Sequence, residues 1–221
     1  KFNKIIEKST ALVDVGAGST QVSLFNNGTL VTTQNVKLGA VRISNMMSAL
    51  SQNVTNYVDI MREYIDNDMV TLNELFLRSK KISNVIFVGD CVPYYVRMKE
   101  YFDDGEYITR DRFKAFLDKI YHKSIEQIAD IMMLQENQAK LILPSAMVYT
   151  RMLDFTQADA IWMPQVTLCD GMAVEHAQKT KKFELKHDFN ADILAAAKNI
   201  SQRYSIRGEH VNLVEKNSLL I

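Results

Sequence analysis

Leu12-Val13-Asp14-Val15-Gly16-Ala17-Gly18-Ser19-Thr20-Gln21 reads as a strand closed by a carboxylate, a turn of small residues, and the start of a second strand. Ala11 to Val15 is apolar but for Asp14 and carries two β-branched valines, which suits a buried strand. Thr20 to Phe25 alternates polar and apolar residues, the period of a half-buried strand. Asn26-Asn27-Gly28 then predicts a tight hairpin, because Asn and Gly tolerate the positive φ of a type I′ turn. Thr29 to Thr33 is the return strand. The chain therefore opens as three antiparallel strands.

Helical spacing takes over beyond them. Val54, Tyr57, Val58, Met61 and Ile65 share one helix face. Asn84-Val85-Ile86-Phe87-Val88 is a short buried strand that ends in Gly89-Asp90, and Pro93 fits the first turn of the next helix. Thr109 is expected to cap a helix carrying Phe113, Phe116, Leu117 and Ile120. Ser124 and Gln127 have the spacing of a capping box ahead of Ile128 and Met132. Pro144 is expected to start a fresh helix through Met147, Val148 and Met152. A last strand is expected at Ala160-Ile161-Trp162, continuing at Val166-Thr167-Leu168. Lys179 to Lys186 reads as a solvated linker. Phe189, Ile193, Ala197 and Ile200 give one more amphipathic helix, and the apolar Leu219-Leu220-Ile221 points to truncation within a larger protein. Three antiparallel strands followed by strand–helix crossovers make an α/β mixed sheet flanked by helices.

Composition narrows the function. The 221 residues are 47% hydrophobic and 24% charged, with 26 Lys and Arg against 26 Asp and Glu. Disordered and collagen-like classes are excluded. A neutral chain has no global field for DNA or an acidic membrane, so any bound anion must be held locally. Two cysteines, Cys91 and Cys169, make neither a disulfide framework nor a four-cysteine zinc site, and both read better as small packing residues than as nucleophiles. The four histidines have no metal-ligand spacing. No apolar run is long enough to span a membrane, and no signal peptide opens the chain. The expected location is cytoplasmic.

The turn Gly16-Ala17-Gly18-Ser19 carries the chemistry. Small residues let backbone N–H groups approach an anion closely, and successive N–H groups form an anion-binding concavity. Ser19 and Thr20 add hydroxyl donors. Asp14 would repel a bare phosphate, so it needs a divalent cation between them or acts on a water. The alternative is a turn with no ligand, its carboxylate capping backbone groups. No Gly-Lys-Ser/Thr follows, so this is not a Walker loop.

Those ten residues resemble the second phosphate motif of the exopolyphosphatase/guanosine pentaphosphate phosphatase family, D-I-G-G-G-S-T-E. Leu38-Gly39-Ala40-Val41-Arg42 is similar to the L-G-A-V-R segment that follows it. Val88-Gly89-Asp90 stands where that family has a second glycine turn, Leu143-Pro144-Ser145-Ala146 resembles its L-P-G-A, and Asp170 to Glu175 sits at its D-x-x-L-R-E helix start. The matches keep the family's order over residues 11 to 178. The resemblance implies the ribonuclease-H-like fold of the actin, sugar-kinase and heat-shock ATPase superfamily, in which two such domains enclose a phosphate cleft. It places residues 1–180 as the second domain and 181–221 as a linker and the first helices of a truncated helical domain. The missing first domain is then a partner, and a homodimer is expected.

The implied activity is hydrolysis of a terminal phosphoanhydride, in inorganic polyphosphate or guanosine pentaphosphate, with Mg2+. Asp14 and Gln21 are the implied catalytic positions, Asp14 the metal ligand. Gly16, Ala17, Gly18, Ser19, Thr20 and Arg42 are the implied phosphate contacts, and Gly89 and Asp90 the second glycine turn. Arg42 could equally be a surface arginine at a helix start, and Asp170 either a cation ligand or a helix cap. Departures from the family pattern matter. Ala17 adds a methyl, Gln21 replaces a glutamate and cannot take a proton, Asp90 adds a carboxylate, and Val174 and His176 replace an arginine and a glycine. They are open to a weakened enzyme, an altered substrate or a member kept for binding, and Gln21 and Ala17 motivate the second reading, a polyphosphate or nucleotide sensor that does not catalyse. A sugar- or acetate-kinase half is a third, poorly served by the Leu-Gly-Ala-Val-Arg and Leu-Pro-Ser-Ala segments. On the first reading the fragment alone is inactive.

Overall fold

A computed structural model describes residues 2–50, 56–78, 80–102, 107–180, 187–204 and 208–218. A short helix α1 (Phe2–Ile6) leads into β1 (Thr10–Val15), β2 (Thr20–Asn26) and β3 (Thr29–Val36). Helices α2 (Ala40–Leu50) and α3 (Tyr57–Leu72), with a π-helical turn at Asn73–Leu77, return the chain to β4 (Asn84–Val88). Then come α4 (Val92–Val96), β5 (Ile108–Thr109), α5 (Arg110–Ile120), α6 (Ile125–Met132), α7 (Glu136–Thr156) and β6 (Ala160–Trp162). Helices α8 (Leu168–Lys179), α9 (Phe189–Arg203) and α10 (Gly208–Ser218) follow.

The strands form one sheet of order β3-β2-β1-β4-β6-β5. β1, β2 and β3 are antiparallel neighbours, while β4 runs parallel to β1 and β6 parallel to β4. This is the mixed α/β sheet expected. The Asn27 and Gly28 φ angles, 51° and 77°, are those the hairpin between β2 and β3 requires.

Alternation divides the sheet into two faces. Ala11, Val13 and Val15 of β1 point into the core with Val22 and Leu24 of β2 and Val85 and Phe87 of β4. Leu12 and Asp14 share the other face. Helix α7 is the axis of the core, buried from Ile142 to Tyr149. Phe87 stacks on Tyr149 at 4.2 Å between ring centroids, and Tyr95, Phe102, Phe113 and Phe116 close the cluster. Such ring pairs contribute about 0.5–1.5 kcal/mol each beyond the area they bury.

Two expectations are corrected. Pro144 starts no helix; it lies inside α7. Its missing N–H would have bonded the Lys140 carbonyl, and Lys140 is exposed, so water can take that carbonyl. Burial along the rest of α7 outweighs the roughly 3 kcal/mol an interior proline costs. The strand at Ala160–Trp162 does not resume at Val166: Thr167 caps α8, its side chain accepting from the Asp170 N–H while the Asp170 carboxylate accepts from the Thr167 N–H at 2.7 Å. Asp170 is thus the third residue of a capping box, and its Thr167 bonds hold its pKa below the usual value. Val54, Lys181 to Lys186 and Leu219 to Ile221 lie outside the described residues. Among the described residues no helix is long and apolar enough to cross a membrane.

Candidate active site

The turn between β1 and β2 is held by its carbonyls. The Gly16 N–H closes it on the Ser19 carbonyl at 3.0 Å. The Gly16 carbonyl accepts from the Ala40 N–H at 3.0 Å, and the Ala17 carbonyl from the Val41 and Arg42 N–H groups, both at 3.1 Å. The Gly18 carbonyl accepts from Arg42 Nε at 2.9 Å. The orphan donors of the first turn of α2 are satisfied by the loop beneath them.

In a trans peptide the carbonyl and the next N–H point in opposite directions. Three successive carbonyls, of Gly16, Ala17 and Gly18, face α2 and its Arg42. The N–H groups of Ala17, Gly18 and Ser19 therefore face the other way, and none of them has an acceptor among the described residues. This row of open donors is the geometry of an anion-binding nest.

The support behind the row is steric. A Cβ on Gly39 would lie 2.3 Å from the Ala17 carbonyl oxygen and 2.5 Å from the Gly18 carbonyl carbon, so only glycine permits this approach. Thr20 is fully buried, and its hydroxyl donates to the Leu38 carbonyl. That hydroxyl is a strut beneath the turn rather than a free phosphate donor. Arg42 likewise commits its Nε to the turn, while its exposed side chain lines a groove of about 550 Å3 with Ala17, Gly18, Asn45 and Tyr64. Ala17 is exposed and has no positive φ, so its methyl is tolerated by the backbone.

Asp14 stands one residue before the end of β1, half-buried on the face away from the core. The register sets Gln21 of β2 directly opposite it, so the two side chains share that face. On the other side Asp14 pairs with Val88, the last residue of β4, and Asp90 follows. Burial first, and then the Asp90 charge, push the Asp14 pKa above the usual carboxylate value. Gly89 has φ 138°, and a Cβ there would meet the Val15 carbonyl oxygen at 2.5 Å and the Tyr149 hydroxyl at 2.9 Å. The second glycine turn is thereby pressed against the end of β1, and Tyr149 fixes it by donating to the Val88 carbonyl at 2.5 Å.

The two carboxylates offer hard oxygen donors only. Among the described residues no group of three or more His, Cys, Asp or Glu side chains converges on one point. Carboxylate oxygens are the donor type a hard cation such as Mg2+ takes, one or two at a time beside phosphate oxygens and water. Cys91 is buried, its thiol pushed up to about 11, chiefly by burial; it is a packing residue. Cys169 is exposed on α8.

The structure thus gathers Asp14, Gln21, the turn 16–19, Arg42, Gly89 and Asp90 at one end of the sheet. Sequence reading missed the roles of Gly39 and Tyr149. It also missed that Asp14 opposes Gln21, although counting outward from the four-residue turn would have shown it.

Comparison with known proteins gives the family and the fold. The model of the Ppx/GppA phosphatase family matches residues 3–180. A Ppx/GppA family member from Aquifex aeolicus is 16% identical with a TM-score of 0.62, the match covering 78% of this chain and 57% of that one. An exopolyphosphatase from Cytophaga hutchinsonii is 13% identical with a TM-score of 0.63, again covering 78% and 57%. At such identities the likeness shows the fold. The chain spans little more than half the length of these solved structures. No curated protein matches the sequence.

Proposed function

Because the chain belongs to the Ppx/GppA phosphatase family, we propose that it supplies one lobe of a site that hydrolyses a terminal phosphoanhydride bond. The substrate on this reading is inorganic polyphosphate or guanosine pentaphosphate. On this reading residues 1–180 act as the second of two domains around a cleft, and the helices beyond 187 begin the next unit.

The observation that carries the reading is the row of N–H groups at Ala17, Gly18 and Ser19, left open because the preceding carbonyls are tied to α2. Fixed donors of this kind stabilise charge on phosphoryl oxygens without reorganising during reaction. Asp14 lies beside them and orients the attacking water. Asp14 and Asp90 would hold Mg2+, which neutralises phosphate charge when bound. The Gln21 amide hydrogen-bonds at the same face. With Asp14 and Asp90 committed to Mg2+, the general base comes from the facing lobe, since Gln21 cannot accept a proton.

The test is a titration of the 221-residue chain with tripolyphosphate and Mg2+, followed by amide NMR. The Ala17, Gly18 and Ser19 resonances are expected to shift together. Unmoved resonances there at millimolar ligand overturn the reading. One observation favours a second reading, a sensor without turnover: Gln21 occupies the position opposite Asp14, where a carboxylate would serve catalysis. Phosphate release by the whole protein would exclude the sensor.

A further inference from the structure

At the end of the sheet opposite the turn, a cavity of about 300 Å3 opens between the start of β1, the end of β2 and the segment before β4. Its apolar wall is Leu24, Phe25, Val31 and Ile82, and its rim carries Lys80 and Lys81. Ser9 and Asn26 add polar groups. β1 separates it from the phosphate turn by six residues, about 20 Å at roughly 3.3 Å per residue.

The charge at this rim is uncompensated. Neither Lys80 nor Lys81 meets a carboxylate among the described residues. Arg203, at the end of α9, stacks over the Phe76 ring at 4.2 Å and adds a third cation close to Lys80. Burial first, and then Arg203, lower the Lys80 pKa. A protein gains nothing for its own stability from cations crowded without an acid; the repulsion is a cost that a bound anion removes. An apolar pocket with a few convergent charged groups is also the usual form of a small-molecule site.

We propose that this cavity binds a phosphate monoester carried on an apolar or aromatic body. The cations choose the anion: a phosphate monoester carries about two negative charges at neutral pH, whereas a lone carboxylate offsets only one of the cations. The wall chooses the body, since the cavity is lined by the apolar residues Leu24, Phe25, Val31 and Ile82, which bare phosphate would not match. The site is separate from the turn and stands or falls without it.

The probe is phenyl phosphate, titrated into the full chain and read by amide NMR, with inorganic phosphate and phenol as comparisons. Shifts are expected at Ser9, Asn26 and Ile82, with inorganic phosphate and phenol each at least tenfold weaker. Lys80→Gln with Lys81→Gln should weaken these shifts at least tenfold and leave any at Ala17 to Ser19 unchanged. In the absence of ligand the double variant should melt no lower than the parent, because repulsion has been removed. Shifts confined to the turn, shifts that persist in the double variant, or none at millimolar phenyl phosphate overturn the proposal. A double variant that melts lower than the parent also counts against it.

Discussion

A methyl group on Gly39 would lie 2.3 Å from the Ala17 carbonyl oxygen, whereas one on Gly18 would meet nothing within 4 Å. Gly39 is thus required by the protein behind the turn, whereas at Gly18 only an anion bound in front of the turn, as proposed, would feel an added methyl. Gly39→Ala should move the turn off α2 and cost about 1–3 kcal/mol, the usual penalty for overpacking. Gly18→Ala should leave the melting temperature within about 1 °C, in line with surface substitutions, but weaken tripolyphosphate binding by obstructing the approach to the N–H row. Thermal melts and the titration of the two variants separate these effects. Equal destabilisation by both would show that Gly18 is needed only for the fold. Residue types foretold this level unevenly. Asp14 and the small residues after it are conspicuous in sequence, because a carboxylate before a glycine turn is chemically odd. Gly39 is not, since its constraint comes from a backbone 22 positions earlier in the chain.

Helix α9 shows what one element does for another. The edge strand β3 has unpaired backbone groups, a hazard for any sheet, and α9 meets two of them. Asp192 Oδ1 accepts from the Leu30 N–H at 2.9 Å, and the Asn199 amide donates to the Val31 carbonyl at 2.9 Å. Asp192 is 6% exposed, and its other oxygen lies 2.6 Å from His187 Nε2. Asp192→Ala should therefore lower stability by about 1.5–3 kcal/mol, the range for a hydrogen bond to a charged group, and should deprotect the Leu30 amide in hydrogen exchange. Asp192→Asn keeps an acceptor for Leu30 and should fall between. Unchanged protection at Leu30 in the alanine variant would mean that α9 does not guard the edge. The helix itself is legible from Phe189, Ile193, Ala197 and Ile200, but its docking is not, because an aspartate in a first turn reads as a response to the helix dipole. Pro144 misleads for a related reason: local rules end a helix there, and only burial of the surrounding turns explains why α7 continues. Where signals are local they hold. The Ser124–Gln127 capping box and the strand Asn84–Val88 stand where the sequence puts them.

At the scale of the molecule, the two sheet faces are unequal. Helices α2, α3, α5 and α7 pack on the face that carries Val13 and Val22, and Asp14 and Gln21 lie on the other. The order of strands and helices made this α/β sheet readable before any coordinates, while the way the N–H row and the carboxylates meet at one end depends on register and on glycine contacts between distant segments. That end presents N–H donors, two carboxylates and an amide, and on the proposed reading both carboxylates serve a cation, so the proton acceptor for the attacking water belongs to the facing lobe. Phosphoryl transfer depends on holding the nucleophile, the phosphate and the charge-neutralising groups in fixed relation, and misplacement of one of them by about 1 Å can cost 10²-fold. On the two-lobe reading, the 221-residue chain should bind tripolyphosphate yet release phosphate from polyphosphate no faster than an Asp14→Asn variant of itself, with Mg2+ present. Release above the variant's would place a complete set of catalytic groups within this one lobe and remove the need for a second.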